Sequence, residues 1–130
     1  GLFDPRFSLY FEEVDHCREV KKAGWKVVFY PQVDVVHLGG ESAKSDGAIS
    51  QSGRQLETLQ IESALLYFRK HHGLAGALAF LVLDQLADLI LVLKAVLKGR
   101  GGARIAGHFA HMRATLASAG ATRMGRAGTR

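Results

Sequence analysis

Most of the chain carries helical spacing, with one short interval of strand-like pattern. Phe11, Val14, Cys17 and Val20 recur at three-residue steps, which predicts a helix over residues 10–23 with those four on one face. Glu12, Glu13 and Asp15 fall in its first turn and Lys21 and Lys22 in its last, an order that suits the helix dipole at both ends. Gly24 is a natural stop. The run from Trp25 to Tyr30, closed by Pro31, reads as a strand; Asp34 to Leu38 reads as a second, ended by Gly39 and Gly40. Residues 39–54, rich in Gly, Ser and Ala, read as a mobile loop carrying Lys44, Asp46 and Arg54. A second helix is expected from about Gln55 to His72, ended by Gly73, and a third from about Leu74 to Leu97. A short helix near residues 103–118 and a frayed last dozen residues complete the pattern. Three regions follow: 1–54, 55–99 and a basic, partly disordered tail at 100–130.

The apolar stretch from Leu74 to Leu97 is long enough to cross a bilayer. Asp84, Gln85 and Asp88 interrupt it near the middle, and a carboxylate at mid-membrane costs about 2.5–3.5 kcal/mol on insertion scales. Asp84 and Asp88, four residues apart, share a helix face. The pattern fits a helix lying in the membrane interface or packed on an apolar partner; an ordinary core helix and a true span are the alternatives.

Charge sharpens this. The 130 residues carry a net +5, yet eight lysines and arginines follow Asp88 with no further acid, so the first 93 residues carry −3. A basic end calls for an anionic partner, either a membrane surface or a nucleic acid. Phe109 is the sole aromatic residue after Phe80, which leaves almost nothing for bases to stack on and argues against nucleic acid. A hydrophobic content of 48% excludes wholesale disorder. The single cysteine, Cys17, excludes an internal disulfide and fits a reducing compartment; its place on the apolar helix face reads as a buried structural thiol. Trp25 is expected in the core. The chain starts on a patterned segment at Gly1 and reads as a piece of a longer protein.

Candidate chemistry sits at two places. The acids Glu12, Glu13 and Asp15 could supply a general base, since neighbouring carboxylates raise one another's pKa; equally, they could do no more than stabilise a helix start. His37, at the end of the second strand and before two glycines, could hold a divalent metal or could be a hydrogen-bonded strand-end histidine. The pairs His71–His72 and His108/His111 have no cysteine or carboxylate at ligand spacing along the sequence and are assigned no metal. Arg69 to His72 reads as a basic helix end.

One series of residues resembles a known family. The stretch GLFDPRFSLYFEEVDHCR at residues 1–18, Ala23-Gly24-Trp25, Pro31 and the stretch VVHLGGES at 35–42 are similar to the C-terminal part of a family-2 glycosyltransferase catalytic domain, in particular the bacterial rhamnosyltransferase-like branch. Tyr67 to His71, followed by Gly73 and an apolar helix, resembles that branch more loosely. The resemblance implies an α/β fold class, the C-terminal portion of a GT-A type nucleotide-sugar-binding fold followed by C-terminal helices, with the donor-binding half before Gly1. It implies inverting transfer of a sugar from a nucleotide-sugar donor to the hydroxyl of a glycan or lipid-linked acceptor, in cell-surface polysaccharide or glycolipid synthesis. The family's catalytic acid falls on Glu13, where aspartate is commoner; the carboxylate is kept and reaches one methylene further. Glu12 and Asp15 are the neighbouring candidates. The family's histidine falls on His37, which would face the donor diphosphate and its metal, Mg or Mn; Lys44 and Arg54 would approach the phosphates. The upstream Asp-x-Asp metal motif is not in this sequence. The expected location is cytoplasmic, peripheral on the inner face of the cell membrane. A non-catalytic membrane-association or protein-interaction module, built from the 74–97 helix and the basic tail, is the competing reading.

Overall fold

The structure is a computed structural model, and it describes residues 3–7, 9–36, 53–99 and 101–129, with side chains from residue 56 onward in the second of its helices. Three helices carry the described chain: α1 (Glu12–Lys22), α2 (Gly53–Leu97) and α3 (Gly102–Ala121). The α/β expectation is overturned: among the described residues there is no strand. Trp25 to Tyr30 and residues 33–36 have strand composition but irregular backbone. A strand exists only through its ladder, and no other described segment pairs with these two. Their side chains accordingly stand in solvent. Trp25, expected in the core, is 73% exposed, and Phe29 is 85% exposed.

Gly73 does what the sequence leads one to expect. Its φ of 66° and ψ of −161° break α2 into two limbs, in a conformation that glycine adopts without strain. The chain reverses there. Phe68 on the first limb stacks on Phe80 of the second, with ring centroids 5.2 Å apart, and Phe80 also packs on Ile61 and Leu65. Gly76, the next glycine, lies so close under His72 and the Phe68 carbonyl that a Cβ would overlap them. The small core is Ile61, Leu65 and Ala119, sealed by Phe80, Leu81, Ala114 and Met124. The helix α3 packs against α2 and, with its two limbs, completes a three-rod bundle around this core.

The last residues do not fray as expected. Thr122, buried, donates its hydroxyl to the Ser118 carbonyl (2.7 Å) and accepts the Gly125 N–H (3.0 Å). Thr129 donates to Glu62 across the bundle (2.7 Å). Gly125, at φ 72°, is pressed onto the Leu65 carbonyl, where a side chain has no room.

The second limb of α2 separates its faces sharply. Ala77, Asp88 and Ala95 are buried toward α3, with Leu81 and Asp84 half-buried on the same side. Leu78, Val82, Leu86, Leu89, Leu93 and Val96, spaced at three and four residues, form an exposed apolar stripe. By length and composition, an 18-residue window within Leu56–Leu97 is apolar enough to cross a membrane, and 11% of that window is buried inside the protein. Lys94, Lys98, Arg104, Arg113, Arg123 and Arg126 are all exposed.

Candidate functional site

The start of α1 is an unusual piece of backbone. Tyr10 and Phe11 both lie in the left-handed region, at φ 68° and 67°. Two bulky residues in succession there cost about 1–3 kcal/mol each. Phe11 occupies the cap position and has no side-chain oxygen to offer the first-turn N–H groups. The acids of the first turn stand in as the electrostatic complement. Arg6 and the Asp4 carboxylate close the preceding turn with a fork of hydrogen bonds, the shortest 2.7 Å. Those bonds, against a smaller opposing effect of burial, hold the Asp4 carboxyl far below the usual carboxylate range, with Lys70 adding to the shift.

The three acids that the sequence groups together have three different surroundings. Glu13 is exposed. Glu12 is half-buried, and its Oε2 is buried without a hydrogen-bond partner among the described residues. Asp15 is 2% exposed and fully engaged: Oδ2 accepts from Lys70 Nζ (2.7 Å) and Oδ1 from His71 Nε2 (2.6 Å). Lys70 also donates to Asp4 (2.9 Å) and lies over the Phe7 ring. Burial pulls the Lys70 pKa down, but the bonds to Asp15 and Asp4 outweigh it and leave the pKa raised.

This clamp corrects the expected apolar face of α1. Val14 is exposed and Cys17 only half-buried. The helix docks instead through Asp15, Arg18 and Lys22. Arg18 donates to the Tyr67 hydroxyl (3.2 Å) and bonds to His72 Nε2 (3.0 Å); Lys22 donates to Glu19 (2.8 Å) and to His71 Nδ1 (3.0 Å). His71 thus accepts on Nδ1 and donates from Nε2, the pattern of a neutral imidazole. Burial, with Lys22 and Arg18 beside it, pushes its pKa below the ordinary value despite Asp15.

His37 and Lys44 lie outside the described residues. Arg54 falls at the start of α2, and the structure describes its backbone alone.

A second polar cluster lies between the α2 second limb and α3. Asp88 accepts from His108 Nδ1 on one oxygen (2.9 Å) and from His111 Nδ1 on the other (2.6 Å). Asp84 accepts from Thr115 (2.9 Å), and Gln85 reaches the Met112 carbonyl (3.5 Å). Sequence reasoning set these histidines aside because no carboxylate stands near them along the chain. The missing carboxylates come from another helix, and the one available signal was the shared face of Asp84 and Asp88. Burial lowers the His111 pKa, but the Asp88 bond and the charges of Asp84, Asp88 and Glu57 outweigh it, so the pKa lies above the ordinary value.

The two histidines therefore titrate on opposite sides of 6.5, the ordinary value. His111 contributes stability below pH 6.5 that is lost as pH rises through its higher folded pKa. His71, buried neutral, contributes stability above pH 6.5 that is lost as pH falls toward its lower folded pKa. Ring-proton NMR titration in metal-free buffer is expected to give a midpoint above 6.5 for His111 and below 6.5 for His71; the reverse order would contradict both environments.

Among curated proteins, the chain is 40% identical over 48 residues to the N-acetylglucosaminyl-diphospho-decaprenol L-rhamnosyltransferases of two Mycobacterium tuberculosis strains. The match covers 37% of this chain and 16% of each relative's length. No family model matches the chain, and no solved structure matches it. The likeness relates a 48-residue stretch of this protein to a glycosyltransferase.

Proposed function

We propose that the chain belongs to an inverting glycosyltransferase that moves a sugar from a nucleotide-sugar donor to a lipid-linked hydroxyl acceptor, and that this part of it faces the membrane and the acceptor. The observation that carries the reading is the 48-residue likeness to a transferase whose acceptor, by its name, is a decaprenol diphosphate sugar. The exposed apolar stripe of α2 and the exposed cations that follow it support it, since a lipid-linked acceptor is presented at a bilayer surface. At the start of α1, Glu13 is the general base of this reading. It takes the proton of the acceptor hydroxyl as that oxygen attacks the anomeric carbon and the diphosphate leaves with the bonding electrons. Glu12 stands beside it, half-buried, with its Oε2 turned away from solvent. Asp15, by contrast, has both oxygens committed to Lys70 and His71 and acts as the tie that holds α1 in place. His37, Lys44, Arg54 and a Mg or Mn ion belong to the donor side of the proposal; the donor set that α1 shares with His71 (Asp15, Glu19 and His71) is already bonded by Lys70 and Lys22, and no step passes through the ion.

A non-catalytic membrane-association or protein-interaction module is the second reading, favoured by the same stripe. One experiment separates the two. The full-length protein is offered a panel of radiolabelled nucleotide sugars and a polyprenyl diphosphate-linked acceptor in anionic vesicles, with vesicle binding followed by co-sedimentation. Transfer with binding supports the first reading; binding with no transfer across the panel leaves the second. The double variant Leu86→Glu/Leu93→Glu, at exposed positions, is expected to lose most of the vesicle-bound fraction, and binding unchanged in it would remove the stripe from the account. Truncation after His72 is a poorer test, since it strips Phe80 and Ala119 from the core.

A further inference from the structure

We propose that Asp84, Asp88 and His111 form a binding site for a divalent d-block cation, Zn2+ foremost, which ties α3 to the second limb of α2. The inference is independent of the glycosyltransferase reading. One ligand atom from each of the three residues lies within 4.8 Å of the others. His111 Nδ1 stands 2.6 Å from Asp88 Oδ2 and 3.8 Å from Asp84 Oδ2. Ligands held about 2.0–2.1 Å from a tetrahedral zinc sit about 3.3 Å apart, so the two observed separations bracket what an ion requires. One imidazole with two carboxylates favours zinc over magnesium or calcium, which prefer all-oxygen sets.

The surroundings are those of a supported metal site. Thr115 donates to Asp84, and His108 holds the Asp88 oxygen that faces away from His111, so both carboxylates are oriented by groups that need not ligate. An open cavity of about 860 Å³, lined by Glu57, Asp88, Arg104, His108 and His111, gives an ion a way in and leaves room for water at a fourth position. Charge argues the same way. Among the described residues no lysine or arginine pairs with Asp84 or Asp88; the histidines are their nearest partners, and those neutralise them only when protonated. The second cluster with comparable spacing, Asp15, Glu19 and His71, differs at this point: Lys70 and Lys22 already occupy it. On binding, the ion takes the place of the Nδ1 proton that His111 shares with Asp88: the imidazolium releases that proton to solvent and keeps the one on Nε2, whereas the neutral ring shifts its proton from Nδ1 to Nε2. Glu57 from the first limb, Asp84 and Asp88 from the second, and His108 and Arg104 from α3 are the charged and titratable groups that face His111.

The test is calorimetric titration of the full chain with ZnCl2 and, separately, MgCl2, at pH 7.5 and 5.5. One zinc per chain is expected, with weaker binding at the lower pH and no comparable magnesium binding. Asp84→Asn and His111→Gln should each lower zinc affinity by at least about 100-fold, more than the 10–100-fold loss that removing a supporting group such as His108 causes. Glu19→Gln should leave it unchanged. If a variant loses helicity by circular dichroism, the native protein still decides: Co2+ should broaden the ring signals of His108 and His111 and spare those of His16 and His71. Zinc affinity that survives both ligand substitutions, or cobalt broadening centred on His71, would overturn the proposal.

Discussion

Glu13→Gln in the full-length protein is expected to lower kcat for sugar transfer by about 10²–10⁴, the span that a general base contributes. The substitution keeps the side-chain shape and removes the proton acceptor. Glu13 is exposed on the first turn of α1, so the variant should fold as the parent does and bind vesicles equally. The loss should appear in kcat with little change in KM, because the interaction removed belongs to the transition state. Glu12→Gln is the informative neighbour. If it is the variant that collapses turnover while Glu13→Gln remains near normal, the base is the half-buried carboxylate of Glu12 and not the exposed one.

Lys70→Met should have the largest effect on stability. It leaves the Asp15 carboxylate buried with a neutral histidine as its remaining partner, and removing one member of a buried ion pair costs about 3–5 kcal/mol. Lys70 retains some solvent contact, which places the expectation at the lower end, about 3 kcal/mol. Because α1 docks mainly through this clamp, the loss should show first as faster amide hydrogen exchange in residues 12–22, ahead of the α2–α3 pair. The double variant Asp15→Leu/Lys70→Met should recover much of the loss, since replacing both charges removes the stranded one. A Lys70→Met protein within about 0.5 kcal/mol of the parent, the range of an ordinary surface substitution, would show that the clamp is not what holds α1.

The helices were legible because their signals are local. Acids then lysines bracket α1, Gly73 breaks α2, and the spacing of Asp84 and Asp88 marks a shared face. The failures have one physical origin: they depend on what a segment meets in space. Residues 25–36 have the β-branched and aromatic composition of strands, but composition cannot supply a pairing partner. The three-residue apolar rhythm of Phe11, Val14, Cys17 and Val20 mispredicted the docking face of α1, because Lys70 and His71, more than fifty residues away, reward Asp15 instead. The tail looked frayed because its order rests on Thr122 and on the close approach of Gly125 to Leu65, neither of which is periodic. At the candidate site, the identity of the acids could be read from the sequence while their division of labour could not, since burial and partners separate Glu13 from Asp15. The Asp84–Asp88–His111 grouping was hidden for the same reason, its halves lying on different helices.

The bare run from Trp25 to Tyr30 bears on how the molecule behaves in company. Six residues of high β propensity, with a single charge at Lys26 and no proline before Pro31, are the composition from which cross-β stacks grow. From Lys26 onward this backbone joins no ladder among the described residues, and it offers a neighbouring copy an edge to pair with. Lys26 and Pro31 stand at the two ends as gatekeepers, one repelling its own kind and the other refusing a hydrogen bond. Crowding is thus expected to matter to this protein in a way that its helices alone do not suggest, with residues 25–30 as the place where copies would meet.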